Sequence, residues 1–351
     1  MQITKALLVT VIMVIRNEEA FIEQSLESVL QQDYPAAKVQ VLIVDGMSQD
    51  QTRKIVEQII WRYPQSNLTL LDNPEHIFPV GFNVGLNNAT GDVIIMMGGH
   101  VVLDADYISR CVDHMEKYPD IDCVGGYLYT IAESPQGKAI ALAMSSAFGV
   151  GGGSFRTISN RLVEVDTVAF GAYRRRAMDY CGLMDEELVR DQDDEYNYRL
   201  REKGGKILIS PDIHARYYSR SSVRSLWTQY FEYGLWKVRV AQKHPRQMRP
   251  RQFAPLAFVS AIIISVGTTL LGWGWLFLTL VIGVYLLANL TASLLTAFSR
   301  GWEHLPCLPL IFATLHLSYG LGSLVGMVKF WNRWSDRHGR VPNRPIEQAS
   351  I

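Results

Sequence analysis

Along the first 250 positions, short apolar runs alternate with stretches whose apolar residues recur at helical spacing. Residues 8–15, 39–44, 68–71 and 92–97 have the length and β-branched content of strands. Residues 19–32, 50–63, 106–117 and a segment containing 82–88 read as helices. This β-α-β-α order predicts an α/β domain with a mostly parallel, mixed sheet and helices on both faces. Ligands of such sheets sit at the carboxyl ends of the strands. The chain puts polar residues there: Arg16-Asn17-Glu18-Glu19, the run from Asp45 to Thr52, and Gly98-Gly99-His100.

The pattern then changes. No Asp, Glu, Lys or Arg occurs in residues 253–298, and none in 305–328. A bilayer crossing needs about 20 apolar residues. The first stretch is long enough for two helices, broken near Gly272-Trp273-Gly274-Trp275, and the second for one. Lys237, Arg239, Lys243, Arg246, Arg249 and Arg251 precede the first stretch; Lys329, Arg333, Arg337, Arg340 and Arg344 follow the second. The positive-inside rule assigns both basic flanks to the cytoplasm, yet three crossings would put them on opposite sides. Either one segment is re-entrant or the count differs. Residues 7–15 are too short to span and lack a small-residue cleavage site, so they read as a strand, not a signal peptide. The expected organisation is 1–220 as the sheet domain, 221–252 as a basic and aromatic interface segment, 253–331 as two to three membrane helices, and 332–351 as a polar tail.

Composition agrees: 48% hydrophobic and 19% charged residues, with no net charge, suit a membrane protein and give no sign of a nucleic-acid partner. The four cysteines form no CxxC pair, which speaks against a zinc site or a disulfide framework. Neither GxGxxG nor GxxxxGK[ST] occurs, so dinucleotide and P-loop chemistry are disfavoured.

Several residues carry candidate chemistry. A carboxylate at the end of a buried strand is costly unless paired or used; Asp45 could accept hydrogen bonds from a base or ribose, with Gly46 leaving room. Ser48 and Asp50 could cap the next helix. Asp191, Asp193, Asp194 and Glu195 place four acids within five positions, and repulsion among them should raise a pKa. Asp104-Ala105-Asp106 offers a literal Asp-x-Asp, but falls at an expected helix start where either acid could be a cap. The glycine-rich run 149–156 reads as flexible. Gln229 and Trp236, near Tyr230, Phe231 and Tyr233, suit sugar stacking or a bilayer interface.

Together these pieces resemble the inverting family 2 glycosyltransferases with the GT-A fold, and within them the membrane-anchored succinoglycan-type branch. The resemblance rests on Asn17-Glu18-Glu19, the Asp45–Thr52 block, Asn83-Val84-Gly85 leading to Ala89-Thr90-Gly91-Asp92, the run from Val165 to Arg174, and Asp191-Gln192-Asp193-Asp194-Glu195. It implies a nucleotide-diphosphate sugar donor, a UDP-sugar above others, lying against Asn17, Glu18, Asp45 and Ser48. It implies Asp193 as catalytic base, with Gln192 standing where the family carries Glu. Asp166, Thr167, Gly171, Gln192, Asp194, Gln229 and Trp236 fall on the acceptor side. It implies a divalent cation, Mg or Mn, although Gly98-Gly99-His100 lacks the leading acid of the family motif; His100, Asp104, Asp106 and His214 are the remaining candidate ligands. The expected protein is a multi-pass inner-membrane enzyme with a cytoplasmic catalytic domain and a lipid-linked saccharide acceptor. Direct transfer to polyprenyl phosphate is the alternative reaction, and a non-catalytic membrane scaffold is the alternative of another class.

Overall fold

The computed structural model describes residues 6–132, 134–152, 161–218, 222–272, 274–337 and 339–342. They divide into two compact units: residues 1–129, 159–217 and 338–351 form one, and residues 130–158 and 218–337 the other.

The first unit is built on a sheet. Strands β1 (Val9–Ile15), β2 (Val39–Asp45) and β4 (Val93–Gly98) are buried throughout, as runs dominated by Val, Ile, Leu and Met require of central strands. β3 (Asn67–Asp72) is the half-exposed edge. β1 lies between β2 and β4, parallel to both, and β2 pairs in parallel with β3. Register aligns the exits: Ile15 opposes Asp45, Asp45 opposes Asp72, and Val14 opposes Gly98. Beyond β4 the sheet turns antiparallel through β8 (Ala172–Arg174) and β6 (Cys123–Ile131). β9 (Ile207–Tyr218) pairs antiparallel with β5 (Val101–Leu103) and with β7 (Val163–Glu164).

The helices of this unit bury one stripe each: Ile22, Leu26 and Val29 of α1 (Ile22–Leu30), Val56 and Ile59 of α2 (Thr52–Arg62), Ile108, Cys111 and Met115 of α4 (Tyr107–Lys117), and Ala177, Met178 and Cys181 of α7 (Arg175–Cys181). Helix α3 (Phe78–Asn88) lies so close to β1 that a Cβ on Gly85 would stand 2.4 Å from Ile12 Cγ2. Cys111, Cys123 and Cys181 are free and buried, and burial raises each thiol pKa.

The second unit is helical: α5 (Pro135–Met144), α6 (Ala147–Val150), α9 (Val223–Lys243), α10 (Ala254–Leu270), α11 (Trp275–Arg300) and α12 (Leu308–Lys329). Three of its segments are long and apolar enough to cross a membrane: Pro250–Leu270, Trp275–Arg300 and Leu308–Lys329. The break between the first two falls at 271–274, as the glycines there predict. α9 and α12 meet through glycines: a Cβ on Gly322 would stand 2.0 Å from Phe231 O, and one on Gly234 the same distance from Tyr319 O. His316 links three elements, donating from Nε2 to Phe148 O (2.8 Å) and accepting at Nδ1 from Tyr285 Oη (3.0 Å). The basic run divides. Lys237, Arg239 and Lys243 are buried, with Arg239 Nη2 3.1 Å from Asp336 Oδ2, while Arg246, Arg249 and Arg251 are exposed.

Candidate active site

Two loops at the exits of β1 and β2 are laced together in the first unit. Asn17 N donates to Ser48 Oγ (2.9 Å), and Gln49 N donates to Asn17 Oδ1 (2.8 Å). Glu18 N donates to Thr52 Oγ1 (2.7 Å), Glu19 N to Asp50 Oδ2 (3.2 Å), and Gln51 N to Glu19 Oε2 (3.0 Å). Asn17 and Met47 have positive φ, 52° and 55°, although neither is glycine. Such backbone persists only where its surroundings over-determine it. His76, at φ 62°, adds a third wall by donating from Nδ1 to Gly46 O (3.0 Å).

Asp45 is fully buried. Ser48 Oγ (2.6 Å) and Ser48 N (3.1 Å) donate to its Oδ1, and Arg53 Nη1 lies 3.4 Å from its Oδ2. The partner that a buried strand-end carboxylate needs comes here from the loop itself. The N-cap of α2 is Gln51, without a side-chain cap bond, so neither Ser48 nor Asp50 caps the helix: Ser48 is taken up by Asp45, and Asp50 accepts from Thr52 N (3.0 Å), the first residue of α2. Partial burial acts to raise its pKa, but the bonds from Thr52 and Glu19 outweigh this and hold it below its ordinary value.

At the exit of β4, His100 Nδ1 donates to Glu18 Oε1 (2.8 Å), and its ring meets Tyr217 edge-on at 5.1 Å. Tyr217 also stacks with Phe170 at 6.4 Å. Phe170 has φ 53°, and its carbonyl accepts from Tyr107 Oη (2.7 Å). Phe170 and Tyr217 are the residues here that sequence reasoning missed. A left-handed phenylalanine leaves no local sequence signal, and Tyr217 lies late in a strand that Pro211 interrupts.

The acids sit at the start of α8 (Gln192–Glu202), whose N-cap Asp191 has φ 57°. Carboxylates in a first turn suit the helix dipole. Glu195 is buried and bonded to Arg199 Nη2 (3.0 Å). Burial acts to lower the Arg199 pKa, but Glu195, with Cys181 and Tyr196, holds it above its ordinary value. Asp194 accepts from Thr167 Oγ1 (2.7 Å). Asn197 accepts from Tyr173 Oη (2.8 Å) and donates to Thr167 Oγ1 (3.0 Å), which fixes α8 on the 165–173 segment. Asp193 is half-buried. Burial, with the Cys123 thiol and the Asp193 carboxylate nearby, pushes the Tyr173 phenol well above its ordinary pKa. Gln192 Oε1 is buried without a hydrogen-bond partner among the described residues. Asn83 Nδ2 donates to Met184 O (3.0 Å) and to Glu186 Oε1 (2.9 Å), anchoring the chain ahead of α8.

The other candidates are distributed as follows. Asp166 is buried, and Gly171 is packed so closely that a Cβ would stand 2.7 Å from Cys123 Sγ. Asp104 lies 3.8 Å from His214 Nδ1 and 3.6 Å from Arg216 Nε, while Asp106 holds the N-cap position of α4 with its carboxylate turned to Arg110 Nε (3.1 Å). His214 belongs to the Asp104 end of the β5–β9 pair and packs against Tyr129 at 5.4 Å. Gln229 and Trp236 belong to the second unit; Gln229 Nε2 donates to Tyr233 Oη (2.9 Å), and Trp236 packs on Phe330 at 5.5 Å. The glycine-rich run continues from 153 outside the described residues.

Among the described residues no group of three or more His, Cys, Asp or Glu side chains gathers to hold a metal. His100 is paired with Glu18, and Asp104 with His214. A preassembled protein cage for a divalent cation does not fit this donor set, because such ions take six or more ligands, mostly oxygen.

The family model "Glycosyl transferase family 2" matches residues 10–181. Residues 10–181 are a family 2 glycosyltransferase domain. The glycosyltransferase is 26% identical over 318 residues to a Methanococcus voltae protein, the dolichyl N-acetyl-alpha-D-glucosaminyl phosphate 3-beta-D-2,3-diacetamido-2,3-dideoxy-beta-D-glucuronosyltransferase, covering 89% of this chain and 95% of that one. It is 28% identical over 333 residues to succinoglycan biosynthesis protein ExoA of Rhizobium meliloti, covering 93% and 94%. Its fold is GT-A: the mannosyltransferase PcManGT from Pyrobaculum calidifontis, in complex with GDP-Man and Mn2+, superposes with a TM-score of 0.57 at 19% identity, covering 92% of this chain and 88% of that one. S. aureus TarS 1–349 in complex with UDP-GlcNAc gives 0.51 at 15% identity, covering 92% of each. The family match ends before α8, which carries Asp193.

Proposed function

We propose that this chain is an inverting glycosyltransferase that moves a sugar from a nucleotide diphosphate, a UDP-sugar above others, to a hydroxyl of a lipid-linked saccharide. One compact unit holds both the laced loops at the exits of β1 and β2 and the acid helix α8, and this observation carries the reading. The strand leading into the Asp45 loop and the strand beside α8 stand three places apart in the sheet, roughly 14 Å. Asn17, Glu18 and Ser48 line the nucleotide end, and Asp45 positions that wall through Ser48.

Asp193 takes the proton of the acceptor hydroxyl as its oxygen bonds to the anomeric carbon. The bond from that carbon to the diphosphate breaks, and the nucleotide leaves with the electron pair. Attack from the face opposite the leaving group inverts the centre. Asp194 holds α8 to Thr167, Arg199, paired with Glu195 inside α8, donates to the carbonyls of Cys181 and Leu183, and Gln192 Oε1 offers an acceptor to a sugar hydroxyl. The reading includes a divalent cation, which would offset charge at the diphosphate; His100, at the β4 exit, would be its protein ligand. A saccharide acceptor is preferred over bare polyprenyl phosphate because the Methanococcus voltae relative is named for transfer to a dolichyl-phosphate-linked sugar. An inner-membrane location with this unit in the cytoplasm accompanies the reading.

The test is Asp193→Asn. Transfer, measured with labelled donor and lipid-linked acceptor, should fall by about 10²–10⁴-fold, with donor affinity by calorimetry unchanged. Normal turnover of a folded variant would overturn the base assignment.

A further inference from the structure

The second unit bears on the conflict between three apolar segments and two basic flanks. Its three candidate spans are not equivalent. Within the apolar windows of Pro250–Leu270 and Trp275–Arg300, 11% of residues are buried; within that of Leu308–Lys329, 50% are. α10 and α11 form a hairpin that leaves Ile263, Leu270, Leu271, Trp275, Leu276 and Leu287 exposed.

α12 packs far more extensively along α9 than against either arm of that hairpin. Gly322 meets Phe231, Gly326 meets Leu235, Phe330 meets Trp236, and the Arg333 carbonyl accepts from Arg239. The partner numbers climb together, so the two helices run parallel. α12 also meets both arms of the hairpin. Pro309 accepts from Asn289, His316 accepts from Tyr285, Gly320 abuts Pro255 and Val259, and Tyr285 itself stacks on Phe258. On α10 the residues met, Pro255 and Val259, lie in its first two turns, at the end where the chain enters. Were α12 to cross hydrocarbon, α9 would be carried in with Glu232, Lys237 and Arg239, an expensive placement.

Chain parity agrees. The sheet unit includes residue 217 and, in the tail, the described residues 339–342, where Arg340 N donates to Asp185 Oδ1 (2.8 Å). An open sheet cannot lie in lipid, so both points share one side and the crossings between them are even in number. Two crossings also put every basic flank on one side and leave the uncharged turn 271–274 on the other.

We propose that the α10–α11 hairpin alone crosses the bilayer, twice, and that α12 lies with α9 at the membrane surface, on the side from which the chain enters α10. The hydrocarbon of the lipid is the partner of the hairpin; the large apolar side chains that α12 leaves exposed are Leu310, Val325, Met327 and Val328. This proposal is independent of the sugar-transfer reading.

The test uses the full chain with Cys307→Ser, since the other three cysteines are buried. Single cysteines are introduced at exposed Trp61, Leu271, Ser335 and, as a second tail position, Trp334. Sealed vesicles of both orientations are treated with a membrane-impermeant maleimide. Trp61→Cys, Ser335→Cys and Trp334→Cys should label in one orientation, and Leu271→Cys at least tenfold better in the other. Tail cysteines that label together with Leu271→Cys would overturn the proposal, as would labelling of Leu271→Cys on the Trp61→Cys side.

Discussion

Gly98 and Gly99 are adjacent in the chain but differ in what confines them. A Cβ on Gly98 would find only Phe170 at 3.8 Å and His100 at 4.0 Å, which is ordinary contact. A Cβ on Gly99 would stand 2.7 Å from Glu18 Cγ and 3.1 Å from Ile15 Cγ2. Gly99→Ala should therefore cost about 1–3 kcal/mol by overpacking and disturb the Glu18–His100 bond. Gly98→Ala should stay within about 0.5 kcal/mol of the parent, and thermal unfolding of the two variants checks both. Sequence pattern marked this turn as a site because a strand-length apolar run ends there. It could not show that one glycine is enforced by Glu18, more than eighty positions earlier. Asp45 is similar: the need for a partner was legible, but not that Ser48 and Arg53 would supply it.

Among the elements, those with their own periodicity were legible. β1, β2, β4, α2 and α4 fall within two residues of their expected bounds. β9 runs from Ile207 to Tyr218. Pro211 interrupts its pattern, and a proline inside a run argues against a strand, yet Ile207, Ile209, Ile213, Ala215 and Tyr217 are all buried. β5, β7 and β8 are two or three residues long and exist through distant partners, so no local signal marks them. The α9–α12 joint also exceeds sequence reading. Three glycines of α12 rest on α9 or α10 backbone, a close approach that only small residues permit. Gly322→Ala pushes a methyl against Phe231 O and should cost about 1–3 kcal/mol. The check is the melting temperature in detergent, with Gly267→Ala as control, because nothing lies within 4 Å of a Cβ there.

For the molecule as a whole, the excursion of residues 130–158 into the helical unit and the return of the tail to the sheet unit were not visible in the sequence. Both depend on contacts between distant stretches. Asp185 is 1% exposed; its Oδ1 accepts from Glu187 N (3.0 Å) and from Arg340 N (2.8 Å), while Glu186 N donates to Arg340 O (3.0 Å). Ending the chain after Arg337 removes two of these bonds and should destabilise the sheet unit by about 1–3 kcal/mol. Denaturant unfolding of the purified truncated and full-length proteins would show the difference.

The same clasp orders events at the ribosome. Domains fold as units while they are synthesised, but Asp185 waits for a backbone amide that emerges about 150 codons later. By then α10 and α11 have left the exit tunnel. The enzyme is therefore finished only after its apolar hairpin has been made, so a chain released before residue 340 lacks both the clasp and a completed catalytic body.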